Sequence, residues 1–217
     1  MSSNKRKLSY NLVLKNFVRI MTFILCIFYL LNKNISPIIG GIAFLGTSLG
    51  IDIILRLIKI KLTNVIDVMI QSFIFLCLFL GKMYNIYAVF PWWDSFLHFI
   101  SGIIVGFAGI LTIKILLSEQ TYCDLTPLVK ALSAFLFAVA SSALWEIWEF
   151  AGDQLFGFDS QLNSLIDTMT DMYVCTLGGL IISLIIYRFY KKGKFKFIGK
   201  GVEDFSKINI KEEHNKS

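Results

Sequence analysis

Three short stretches place acids inside otherwise apolar sequence: WWDSFLHFISG with Asp94 and His98, SSALWEIWEFAGD with Glu146, Glu149 and Asp153, and SLIDTMTDMYV with Asp167 and Asp171. Asp94 precedes His98 by one helical turn, and Asp167 precedes Asp171 by the same step, so each pair shares a helix face. Glu146, Glu149 and Asp153 form one continuous stripe by the same rule. Carboxylates grouped with an imidazole can bind a divalent cation directly, with Zn, Mn, Fe and Mg all compatible. Stripes of this kind on packed helices hold metals in helical bundles, and a held metal acidifies a bound water. The expected metal ligands are therefore His98, Glu146, Glu149, Asp153, Asp167 and Asp171. Asp94 and Glu146 are the expected catalytic groups, Asp94 either orienting His98 or serving as general base.

Each residue also has a plainer use. A histidine near a helix start commonly packs in a core or interface. Asp94 suits an N-cap, and Asp153 suits an exposed loop. Trp92, Trp93, Trp145 and Trp148 read as an interfacial aromatic belt. Gln154 and Gln161, in the same loop region, are weak candidates for substrate contact.

The elements that must carry these residues follow from composition. Of 217 residues, 56% are hydrophobic and only 17% charged, with a mean hydropathy of +0.68. That excludes an ordinary soluble domain and predicts an all-α polytopic membrane protein, a single integral membrane domain over 1–217. Six runs, roughly 14–31, 37–60, 65–89, 94–117, 128–151 and 165–187, are long enough or nearly so to cross the hydrocarbon layer as transmembrane helices. The basic start MSSNKRKLSYNLVLKNFVRI and the apolar MTFILCIFYLL outline a signal peptide. No small-residue cleavage pattern follows, so this is read as a retained first span. The four cysteines form no CxxC pair, which argues against a disulfide framework or a thiolate metal site.

Orientation follows from basic residues. With both termini cytoplasmic, all of the 21 Lys and Arg except Lys33 and Lys82 fall inside, including the basic tail over 188–217. Asp94, Glu146, Asp171 and their neighbours then share one depth at the outer ends of spans four to six. Gly102, Gly106 and Gly109, Ala138 and Ser142, and Gly178 and Gly179 supply small faces for close helix contact below them. Two further acids read as structural: Asp52 paired with Arg56 one turn on, and Asp67 in the first turn of a helix capped by Asn64.

The order WWDSFLHFISG, ALWEIWEFAGD, DSQLNSLIDTMTDM resembles the YjdF-like family of bacterial integral membrane proteins. That family has a D-x-x-x-H-x-x-x-G helix, an E-x-x-E helix and a D-x-x-x-D helix after a short loop. The likeness covers about residues 90–182. A looser one joins the chain to VanZ-like proteins, through an H-bearing helix, an acidic helix and a final Asp-plus-Gly helix. These resemblances imply a bacterial cytoplasmic membrane and a shared site, and supply no reaction.

The leading expectation is a metal-dependent enzyme at the extracytoplasmic face. It would contact membrane lipids, act on a lipid or cell-envelope precursor and use no nucleic acid. A proton or cation carrier with the carboxylates as relay is the second reading, and a non-catalytic polar cluster that fixes helix packing is the third.

Overall fold

In a bilayer each backbone polar group must be satisfied within its own segment, so apolar runs of this length become helices. The computed structural model describes residues 10–210 and, among them, contains helices and no strand. Helix α1 spans Tyr10–Leu31, α2 Ser36–Leu57 and α3 Asn64–Ile74, which continues as a π-helical segment over Phe75–Met83. Short α4 (Ile86–Val89) follows, then α5 (Trp93–Leu116), α6 (Glu119–Asp124), α7 (Pro127–Phe156), α8 (Leu165–Lys192) and α9 (Lys196–Asn209). Six of these stretches are long and apolar enough to cross a membrane. The protein is an all-α, multi-pass membrane protein.

Helix ends follow from local chemistry. Thr63, Thr126 and Ser164 each cap a helix by accepting a hydrogen bond from a first-turn N–H, on Ile66, Val129 and Asp167. Gly157 and Gly193 stop α7 and α8 in the left-handed conformation, at φ 69° and 64°. Several expectations are corrected here. Thr63, not Asn64, caps α3. Trp92 precedes α5, so Asp94 lies in the first turn rather than at the cap. The third span ends at Met83, because Asn85 turns left-handed at φ 57°. Helix α7 runs on through Asp153 to Phe156 and stops where Gly157 turns left-handed.

The chain divides into two compact units, one ending at Pro91 and one beginning at Trp92. In the first, Asp52 pairs with Lys15 at 3.0 Å and Arg19 at 2.9 Å, both on α1, while Arg56 is exposed. The expected Asp52–Arg56 pair is thus replaced by an interhelical one. Lys15 also reaches Asp67 at 3.2 Å. Charge within the span is neutralised between helices rather than along one.

The second unit contains α5 to α9, with α5, α7 and α8 packed mutually. At the α5–α8 crossing a Cβ added at Gly102 would fall 2.0 Å from the Cys175 carbonyl oxygen. One added at Gly178 would fall 2.2 Å from the Phe99 carbonyl oxygen. Only backbone fits between the two helices there. The tail read as a topological determinant holds α9, whose Ile198, Val202 and Phe205 are buried. This helix packs on α5 and α8.

Candidate metal centre

The glycine crossing sets which residues meet above it. His98 lies one turn before Gly102 on α5, and Asp171 one turn before Cys175 on α8. His98 is 9% exposed and Asp171 3%. His98 Nε2 lies 3.8 Å from Asp94 Oδ1 and 3.9 Å from Asp171 Oδ2. One donor atom from each of Asp94, His98 and Asp171 falls within 4.8 Å of the others. Ser95 Oγ donates to Asp171 Oδ1 at 3.3 Å, fixing that carboxylate, and Ser101 Oγ donates to the His98 carbonyl at 2.7 Å.

Helix α7 supplies the third wall. Glu146 is 5% exposed, and its Oε1 is buried with no hydrogen-bond partner. One turn earlier on α7, Ser142 Oγ is likewise buried and unpartnered. Glu146 Oε2 accepts from Gln161 Nε2 at 3.2 Å, and the same amide donates to the Glu146 carbonyl at 3.2 Å. Asp94, Glu146 and Asp167 all lie near enough for their charges to act on Asp171. None of these four carboxylates is paired with a Lys or Arg among the described residues.

The remaining two acids stand apart from this group. Asp153 Oδ1 accepts from the Ser160 N–H at 2.7 Å and Oδ2 from the Gln161 N–H at 2.9 Å. Both of its oxygens hold the turn between α7 and α8. Glu149 is half-buried on α7, outside the converging donor set. The turn itself carries Gly157, Asp159, Leu162 and Asn163 at positive φ. Leu162, at φ 51°, lacks the short polar side chain that eases this conformation, so the turn is held by its clips rather than by local preference.

Sequence reasoning missed Ser95, whose place one residue after Asp94 and three before His98 put it on the same side of α5. Gln161 was singled out for substrate contact, whereas it contacts Glu146. Its signal was the asparagine- and serine-rich turn in which it sits.

Residues 14–192 match the family described as "Predicted membrane protein (DUF2238)". The chain belongs to this family. Its members are thus described by membrane location rather than by reaction. A protein of Thermotoga maritima, described as uncharacterized, is 33% identical over 127 residues, which cover 58% of this chain and 64% of that protein. The chain therefore matches less than two thirds of that relative's length. No solved structure matches.

Proposed function

We propose that the protein is a metal-dependent membrane enzyme acting on a lipid or cell-envelope precursor. The observation that carries this reading is the convergence of Asp94, His98 and Asp171 donor atoms within 4.8 Å, in a cluster without a Lys or Arg partner among the described residues. Carboxylates near the bilayer each cost about 2.5–3.5 kcal/mol at mid-membrane, less toward the interface. Several together repel, so a cation is the partner that offsets both effects. The buried, unpartnered Oε1 of Glu146 supplies a further donor beside them.

In this reading His98, Asp171 and Asp94 would hold a Zn, Mn, Fe or Mg ion, and Glu146 and Asp167 would complete or neutralise its surroundings. Such an ion supplies Lewis acidity and lowers the pKa of water. Glu146 Oε1 would then accept the proton of an attacking water, and the hydrogen bond from Gln161 to its other oxygen supports that role. Asp153 serves the turn. The bias of basic residues supports an orientation with both termini in the cytoplasm and the cluster at the extracytoplasmic face. The motif order shared with YjdF-like proteins supports a bacterial inner membrane. Substrate then reaches the site from the headgroup layer.

Elemental analysis of protein purified in detergent without chelator tests the reading, beside Asp171→Asn and His98→Ala. The expected result is about one equivalent of a divalent metal in the wild type and a loss in both variants. Wild-type protein that carries no metal, and takes up neither Mn nor Zn on titration, would overturn it and shift weight to protonated carboxylates.

A further inference from the structure

The end of α8 remote from the carboxylates opens a run of positive charge. Arg188, Lys191, Lys192, Lys194, Lys196 and Lys200 follow one another within thirteen residues, and no Asp or Glu occurs between Asp171 and Glu203. All six side chains are exposed. Among the described residues none of them has a carboxylate partner. Lys191 donates to the Tyr187 hydroxyl at 2.7 Å, and Glu203, the next acid along the chain, is taken by Lys207. Like charges this close repel one another, and a surface of opposite charge relieves that repulsion.

The fold sets the level at which these charges stand. Helix α8 has 28 residues, about 42 Å at 1.5 Å per residue, against roughly 30 Å of hydrocarbon and roughly 40–45 Å with both headgroup layers. Its last turn therefore reaches the headgroups. Gly193 and Phe195 then turn left-handed, at φ 64° and 59°, and α9 packs on α5 and α8. The seat is close: a Cβ added at Gly199 would fall 2.1 Å from the Phe189 ring, and one at Gly201 2.9 Å from the Phe107 ring. Ile198, Val202 and Phe205 are buried in that contact, while Lys196 and Lys200 remain exposed.

The rings beside the lysines identify the partner. Phe195 and Phe197, 39% and 62% exposed, alternate with Lys194 and Lys196. An exposed phenylalanine suits neither water nor a purely acidic soluble partner. In a headgroup layer the ring meets acyl carbons while its neighbouring ammonium meets phosphate. We propose that the corner between α8 and α9 is a docking surface for anionic phospholipid headgroups. Lys192, Lys194, Lys196 and Lys200 spread over several phosphates there, and Phe195 and Phe197 enter the acyl boundary between them. No pocket is required, because a polybasic segment holds anionic lipid through its field rather than through a fitted cavity. The surface is independent of the metal reading and of which leaflet faces it.

The test is native mass spectrometry of the full-length protein released from nanodiscs containing equal phosphatidylglycerol and phosphatidylcholine. Wild-type protein is expected to retain phosphatidylglycerol over phosphatidylcholine by at least fivefold. Lys192→Gln, Lys194→Gln, Lys196→Gln and Lys200→Gln combined should cut that preference at least threefold, whereas the same four positions changed to Arg should keep it. The pair Lys192→Gln and Lys194→Gln should give an intermediate loss, as expected of a field built from separate charges. Equal melting temperatures of wild type and variants in detergent guard against a loss caused by misfolding. Preference unchanged in the fourfold Gln variant would overturn the proposal. So would wild-type protein that retains the two lipids equally, which would leave these charges to an acidic soluble partner.

Discussion

The imidazole of His98 on α5 and the carboxylate of Asp171 on α8 face each other at 3.9 Å, one turn above a crossing where the two backbones nearly touch. Among the described residues neither has a Lys or Arg partner, and Ser95 anchors the far oxygen of Asp171 at 3.3 Å. The pair is held by the fold before any ligand arrives. That geometry makes the consequences of single substitutions specific.

Replacing Asp171 with Asn keeps the shape and removes the charge. Metal affinity should fall at least tenfold, about 1.4 kcal/mol. The apo protein should not lose stability, because one of several mutually repelling carboxylates is gone. Titration with Mn followed by electron paramagnetic resonance reads the first effect, and thermal unfolding in detergent with chelator reads the second. A marked fall in apo stability would show that Asp171 is anchored chiefly by Ser95.

Gln161→Ala should free Glu146 Oε2 and loosen the turn between α7 and α8. Loss of a hydrogen bond to a charged group is worth roughly 1.5–3 kcal/mol. The site should therefore weaken without disappearing, and Gln161→Glu, which adds repulsion, should be worse. Hydrogen exchange across residues 157–164 should quicken in Asp153→Asn, whose carboxylate clips two N–H groups of that turn. Exchange unchanged in that variant would remove the clip from the account.

Gly102→Ala and Gly178→Ala should each disrupt the α5–α8 crossing, since the new methyl meets a carbonyl oxygen at 2.0 and 2.2 Å. Overpacking of this kind costs typically 1–3 kcal/mol, and backbone leaves little room to relax. Gly46→Ala has nothing within 4 Å of the new Cβ. It should be neutral or stabilising, by up to about 1 kcal/mol of helix propensity. Melting temperatures of the three variants decide this.

The hydrogen bond from Lys114 is the largest influence and, helped by the Lys114 charge, holds the Glu119 carboxyl below its ordinary value of 4.5 against the opposing effect of burial. A carboxyl depressed in the folded state binds its proton less readily there than when unfolded. Its contribution is therefore present above pH 4.5 and fades as pH falls through the lower folded value. Glu119 is largely exposed, so screening keeps the effect modest. Glu119→Gln should lower stability at neutral pH, and the difference should close in acid. A difference that persists below the carboxylate range would point to packing instead.

The spans were legible because length and apolar composition leave a bilayer segment no alternative to a helix. The meeting of Asp94, His98, Glu146 and Asp171 was also legible, because turn spacing on three successive helices put them at one end. What sequence could not show was which groups would be used elsewhere. Asp153 belongs to the same stripe as Glu146, yet a turn of left-handed residues folds back and takes both its oxygens. Asp52 and Arg56 have ideal spacing, but Lys15 and Arg19 approach Asp52 from a neighbouring helix, and only packing reveals that. Helix α9 was hidden by its lysines, whose charge signal masked the regular recurrence of Ile198, Val202 and Phe205.

The crossing at Gly102 and Gly178 has one more consequence. Because peptide meets peptide there, the crossing cannot relax, and the backbones that carry His98 and Asp171 are held at a fixed spacing. An ion bridging that gap would be measured against a fixed calliper. Preference among cations would then be governed by ionic radius first, and changing it would require altering the crossing rather than the ligands.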